Sequence, residues 1–161
     1  MNTKTPWYKD IVLPGLLRHA RTTYGAAMRR ALDAAGYDDI PANGLYVIGG
    51  LAMDKEGDGA TLGDLVRQLR VSKQAASQLV DTLVLRGYLQ RGIDSDDRRK
   101  RPVTLTERGR HAAQIQAEAR DIIDARLLER VGAEAIAHTR RTLAALIELR
   151  REEAADAEDD A

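Results

Sequence analysis

Two amphipathic stretches separated by only three residues constrain this chain more than any other feature in it. The first, Thr61 to Leu69, reads TLGDLVRQL; the second, Lys73 to Gly87, reads KQAASQLVDTLVLRG. Leu62, Leu65, Val66 and Leu69 recur at helical spacing, so the first stretch predicts a short helix with one apolar face. Thr61 suits its N-cap, and Asp64 three residues on makes a weak form of the capping box. Arg70-Val71-Ser72 is too short for anything but a turn, and Ser72 can cap the next helix. That second helix is expected to bury Ala75, Ala76, Leu79, Val80, Leu83 and Val84 and to end at Gly87. Lys73, Gln74, Ser77, Gln78 and Asp81 fall on its other face.

The segment from Leu89 to Leu105 gives that polar face a use. Leu89 to Ile93 reads as a strand and Val103 to Leu105 as its return, with Pro102 at an edge position. Between them Asp94-Ser95-Asp96-Asp97 forms a turn-prone acidic shoulder, and Arg98-Arg99-Lys100-Arg101 a basic tip. Four like charges on a hairpin tip repel one another and give an isolated domain nothing. A polyanion gives them a purpose, because each phosphate contact releases counterions. An arginine at such a tip can also enter the minor groove. On the helix, small and amide side chains near the first turn can hydrogen-bond base edges, and the N-terminus itself favours phosphate. Helix, turn, helix and hairpin together predict a mainly α chain built around a winged helix-turn-helix.

At this point the chain resembles the MarR family of bacterial transcription regulators. The resemblance rests on Asp97-Arg98-Arg99 followed by Leu105-Thr106-Glu107-Arg108-Gly109, and on VSKQAASQLVDTLVLRGYLQR running from recognition helix into wing. It covers nearly the whole chain in organisation and is specific from about Thr61 to Gly109. It implies that Ser72, Lys73, Gln74, Ser77 and Gln78 face the major groove. It also implies that Arg98 and Arg99, with Lys100 and Arg101 beside them, reach the minor groove or its phosphates, while Asp97 orients an arginine in the wing. Arg70 departs from the family pattern, whose turn often has Gly there. A left-handed residue or a slightly different turn is expected from that departure.

A net charge of zero hides a local basic surface. The last ten residues, EEAADAEDDA, hold six acids and no base, which leaves 25 cations against 19 acids in the rest. From Arg67 to Arg101 there are nine cations and four acids. Residues 154–161 are expected to form a disordered, solubilising acidic tail. The chain has no Cys, so a disulfide, a thiolate metal site and a thiol switch are all excluded. His19, His111 and His138 are scattered, and no zinc-protease or phosphate-loop pattern occurs, so no enzyme, metal or cofactor is expected. Asp54 to Gly59 begins like a calcium loop but places Leu65 where a bidentate Glu is required; it reads instead as a surface connection with a short strand at Gly59 to Thr61. With no signal-peptide apolar region and no long apolar run, a cytoplasmic protein without membrane contact is expected.

Long helices are expected on both sides of the motif. Leu16 to Ala35 has a broad apolar face; Pro41 to Met53 contains Gly44, Gly49 and Gly50, a poor helix composition that signals close packing or a break. Thr106 is placed to cap a helix from Glu107 to Val131, Gly132 to break it, and Ala135 to Glu152 to continue beyond. The organisation is therefore a dimerisation helix region at 1–36, a winged domain at 37–106, dimerisation helices at 107–153 and the tail. A monomer would leave the apolar stripes exposed. A homodimer buries them and presents two recognition helices to a pseudo-palindromic site in double-stranded DNA. The resemblance further implies a small aromatic or anionic effector, with Trp7, Arg18, His19, Arg21, Tyr24 and Tyr46 as candidate contacts. A repressor released by such a ligand is the leading reading. A winged protein-interaction module and a non-specific architectural DNA binder remain as alternatives.

Overall fold

The computed structural model describes residues 6–54, 57–92 and 102–159, with side chains through residue 152. Its elements are α1 (Leu13–Ala34), α2 (Gly44–Ala52), α3 (Leu62–Leu69), α4 (Lys73–Leu85), β1 (Leu89–Arg91), β2 (Val103–Leu105) and α5 (Glu107–Asp159). The fold is thus mainly helical, as expected, with a small antiparallel sheet. Two compact units divide the chain, Met1–Asp121 and Ile122–Ala161.

In the first unit, α1 starts three residues earlier than the apolar pattern indicated, because Pro14 sits in its first turn, where a missing N–H is harmless. It ends on a Schellman arrangement: Gly36 N–H bonds Asp33 O and Tyr37 N–H bonds Leu32 O, with Gly36 at φ 81°. α2 is shorter than the expected Pro41 to Met53, since Pro41 O is taken by Gly44 N–H in a turn before the helix. Its glycines serve close packing rather than a break. A side chain at Gly44 would stand 3.1 Å from Leu83.

The sheet is a two-stranded hairpin in which Leu89 faces Leu105, Gln90 faces Thr104 and Arg91 faces Val103. Ala60 pairs Val103 from the other side as a single bridge, so the strand expected at Gly59 to Thr61 shrinks to one residue. Gly59 makes that bridge possible. It has φ +77°, and a Cβ there would stand 2.4 Å from Val103 O. Within the described residues β1 ends at Arg91, with Gly92 beyond the strand, and Ile93 lies outside the described residues. The core lies where α1, α2, α3, α4 and the hairpin converge, on buried Leu32, Ile48, Leu65, Val80, Leu83, Tyr88 and Leu89.

The second unit is helical. α5 is broken at Gly132 (φ 79°, ψ 162°), where the sequence placed its break. Ile122, Leu127, Leu128, Val131, Leu146, Ile147 and Leu149 are exposed along it. The helix runs on to Asp159 and takes in most of the acidic tail for which disorder was expected. Alanines at 154, 155 and 157, the strongest helix formers, favour that continuation. Among the described residues no helix is long and apolar enough to cross a membrane.

Candidate nucleic-acid interface

The two helices of the motif are fixed at their N-termini by side chains. Thr61 Oγ1 accepts from Asp64 N–H at 3.3 Å while Asp64 Oδ2 accepts from Thr61 N–H at 2.8 Å, a full capping box. The Thr61 hydroxyl, then the Thr61 N–H, then Arg67 hold the Asp64 carboxyl below its usual range. Ser72 Oγ caps α4 by accepting from Ala75 N–H at 3.1 Å. Arg70 joins the helices in the left-handed region, at φ 53° and ψ 44°, the first of the two alternatives that its departure from glycine left open.

α4 buries Ala76, Val80 and Leu83, with Leu79 and Val84 half-buried. Ala75, expected in that stripe, is exposed: the buried positions step by four and three from Ala76, and Ala75 turns out beside Gln74. Ser72, Lys73, Gln74, Gln78 and Asp81 are exposed, and Ser77 is half-buried. One helical face therefore offers two amides, a hydroxyl and an ammonium next to the helix N-terminus. Asp81 extends the same face and pairs with Arg91 at the end of β1, a contact absent from the sequence reading. Helical spacing from Gln74 and Gln78 placed Asp81 on this face, but its pairing with Arg91 depends on where β1 ends.

The wing is rooted through Thr106. Its hydroxyl lies 2.5 Å from Gly87 O and 3.1 Å from Tyr88 O and accepts from Gly109 N–H at 3.0 Å, so it caps α5 and ties it to the end of α4. α4 itself stops on a second Schellman arrangement, Gly87 N–H to Val84 O and Tyr88 N–H to Leu83 O. Tyr88 is buried, and its hydroxyl donates to Asp39 Oδ1 and accepts from Arg108 at 3.0 Å. Burial first, then the Asp39 bond, pushes its pKa up to about 12. Chiefly the same bond, helped by Arg108 and Arg86, lowers that of Asp39. The Arg108 guanidinium lies over both Tyr88 and Tyr37, and Tyr37 Oη meets His111 Nδ1 at 2.5 Å. None of these contacts between the α1–α2 connection and the wing root was anticipated from sequence. Asp97, Arg98, Arg99, Lys100 and Arg101 lie outside the described residues.

Of the candidate effector contacts, Arg21 and Tyr46 are brought together, the guanidinium 4.3 Å over the ring. Tyr24 and Tyr46 are half-buried, Arg18 and His19 exposed, and Trp7 is 76% exposed against Tyr8. A cavity of about 430 Å³ is formed by the end of α2, β2 and the first turns of α5. None of the six lines it.

A MarR family model matches residues 44–100, which hold α2, α3, α4 and β1. The transcriptional activatory protein BadR of Rhodopseudomonas palustris is 34% identical over 89 residues, 55% of this chain and 49% of that protein. The chain spans about half the length of the curated relatives it matches. Among solved structures, a MarR family protein of Mycobacterium tuberculosis in complex with salicylic acid aligns at TM-score 0.58 and 27% identity, over 86% of this chain and 98% of that one. MepR of S. aureus in its DNA-binding conformation aligns at TM-score 0.68 over the same shares, and at 19% identity it speaks to fold alone.

Proposed function

Since the chain belongs to the MarR family, we propose that it is a sequence-specific, DNA-binding transcriptional regulator acting as a homodimer in the cytoplasm, not an enzyme. The observation that carries this reading is the capped, exposed face of α4. Ser72, Lys73, Gln74 and Gln78 stand clear of the core at the helix end that favours phosphate, with Ser77 at its margin. Side chains of this kind read base edges in the major groove. The basic run Arg98 to Arg101 supplies phosphate and minor-groove contacts, and Asp97 orients an arginine there.

Dimerisation is supported by apolar side chains exposed at both ends of the chain. Trp7, Tyr8, Val12 and Leu13 lie before or at the start of α1, and Ile122 to Leu149 along α5. Pairing would bury them and set two recognition helices over half-sites about one helical turn apart, roughly 34–36 Å.

The regulator is a repressor released by a small ligand that prefers the DNA-incompetent arrangement. The Mycobacterium tuberculosis relative, solved with salicylic acid, supports the ligand. Activation is the second reading, favoured by the activatory role in the name of BadR. A titration against the duplex upstream of the chain's own gene tests the proposal, with a random duplex of equal length beside it. Selective, salt-sensitive binding is expected. Equal binding of both duplexes overturns sequence reading.

A further inference from the structure

The exposed face of α4 ends in a carboxylate. Asp81 follows Gln74 and Gln78 on that face. Left bare, it would stand among the phosphates that the rest of the face approaches, and like charge would weaken binding. It is not bare. Arg91, the last residue of β1, donates from Nη2 to Asp81 Oδ1. Strand alternation puts Arg91 on the side of β1 that carries buried Leu89, so its side chain leans toward α4.

Stability does not account for the pair. The Arg91 side chain is 39% exposed and that of Asp81 63%, and an ion pair in such a setting adds little to folding. The hairpin root is already held by buried Tyr88, Leu89 and Leu105. Position does account for it. Lys73 to Asp81 spans about 12 Å along the helix axis, close to the width of the major groove. A helix that enters the groove by its N-terminal turns therefore brings Asp81 to the rim, where the phosphates run. The contact engages one corner of the guanidinium fork, and among the described residues Arg91 meets no second carboxylate. The remaining donors suit a phosphate.

We propose that Arg91 contacts a DNA phosphate at the rim of the major groove and that Asp81 positions it there. The pair fixes the register in which Ser72 to Gln78 meet the bases, because phosphate contacts orient a protein on the duplex without reading sequence themselves. This rests on the DNA-binding reading and adds a contact outside both the first turns of α4 and the basic run at 98–101.

Binding titrations of the full chain over a range of salt test the pair, against a duplex selected by the chain from a random pool and against a random duplex. Arg91→Gln is expected to lower the slope of log affinity against log salt by about one on both duplexes, and Arg91→Lys to keep it. Asp81→Asn removes a negative charge and so preserves or strengthens binding to random DNA. Its discrimination between the two duplexes is expected to fall about tenfold. In the Arg91→Gln background the same change should move discrimination by less than about twofold, because Asp81 acts through Arg91. A merely structural pair would lower the melting temperature and leave the salt slope where it was. Should Arg91→Gln fail to fold, as judged by its melting curve, Arg91→Met keeps the aliphatic stem and carries the slope test. An unchanged slope overturns the phosphate contact. Undiminished discrimination by Asp81→Asn, or a loss of equal size in both backgrounds, overturns the positioning role. A wild-type chain that holds both duplexes equally refutes sequence reading, while the slope on random DNA still decides the phosphate contact.

Discussion

The buried Tyr88 hydroxyl donates to the Asp39 carboxylate, joining the connection between α1 and α2 to the residue where α4 turns into the wing. The contact links stability to pH at both ends of the scale. Asp39 is held below its usual value of 3.8, so its contribution is present above that pH and is lost as pH falls through the lowered folded value. Tyr88 is raised from 10.0 to about 12, so its contribution is complete below pH 10 and is lost as pH rises toward 12. Urea denaturation across pH is expected to show both losses. Tyr88→Phe should cost about 1–3 kcal/mol at neutral pH and remove its share of the alkaline loss. An unchanged midpoint for that variant would show that the bond carries no stability.

Arg70 holds a left-handed backbone at φ 53° between α3 and α4. Such a conformation costs a residue with a Cβ about 1–2 kcal/mol, and glycine escapes the cost while losing more unfolded-state entropy. Arg70→Gly is therefore expected to stabilise the fold by roughly 0.5–1 kcal/mol, read from the denaturation midpoint at unchanged slope. A destabilised variant would mean that the guanidinium makes up for the strain.

Gln116 is 1% exposed, and among the described residues neither polar atom of its amide has a hydrogen-bond partner. Replacing an unpaired buried polar group by an apolar one of similar volume removes a desolvation penalty of about 1–3 kcal/mol. Gln116→Leu should raise the melting temperature. A lower one would indicate that the amide is satisfied, by a buried water for example.

The basic run Arg98 to Arg101 is expected to carry non-specific affinity. Alanine at Arg98, Arg99 or Arg101 should reduce the slope of log affinity against log salt by about one per residue and weaken all duplexes alike. A variant whose sequence preference changes while the slope stays the same would place that arginine on a base rather than a phosphate.

Most of the motif was legible because its determinants are local. Thr61 and Asp64 cap within three residues, Ser72 within the next turn, and Gly87 and Gly132 act through their own φ. The apolar spacing in α3 and α4 named nearly the whole buried face, with Ala75 the exception. Contacts between distant positions were not legible. Tyr88 with Asp39, Tyr37 with His111 and the α5 face beneath Gly49 depend on residues from 49 to 74 apart in sequence, brought together only by packing.

The central claim is that the exposed face of α4 reads sequence. Selection of bound duplexes from a randomised pool tests it most directly, run on the wild-type chain and on Gln74→Ala and Gln78→Ala. An enriched inverted repeat is expected, with half-site centres about one helical turn apart. Each variant should alter the preferred bases within the half-site at a cost of roughly 1–3 kcal/mol for the original sequence. A pool that stays random, or the same repeat enriched by all three proteins, would contradict the account.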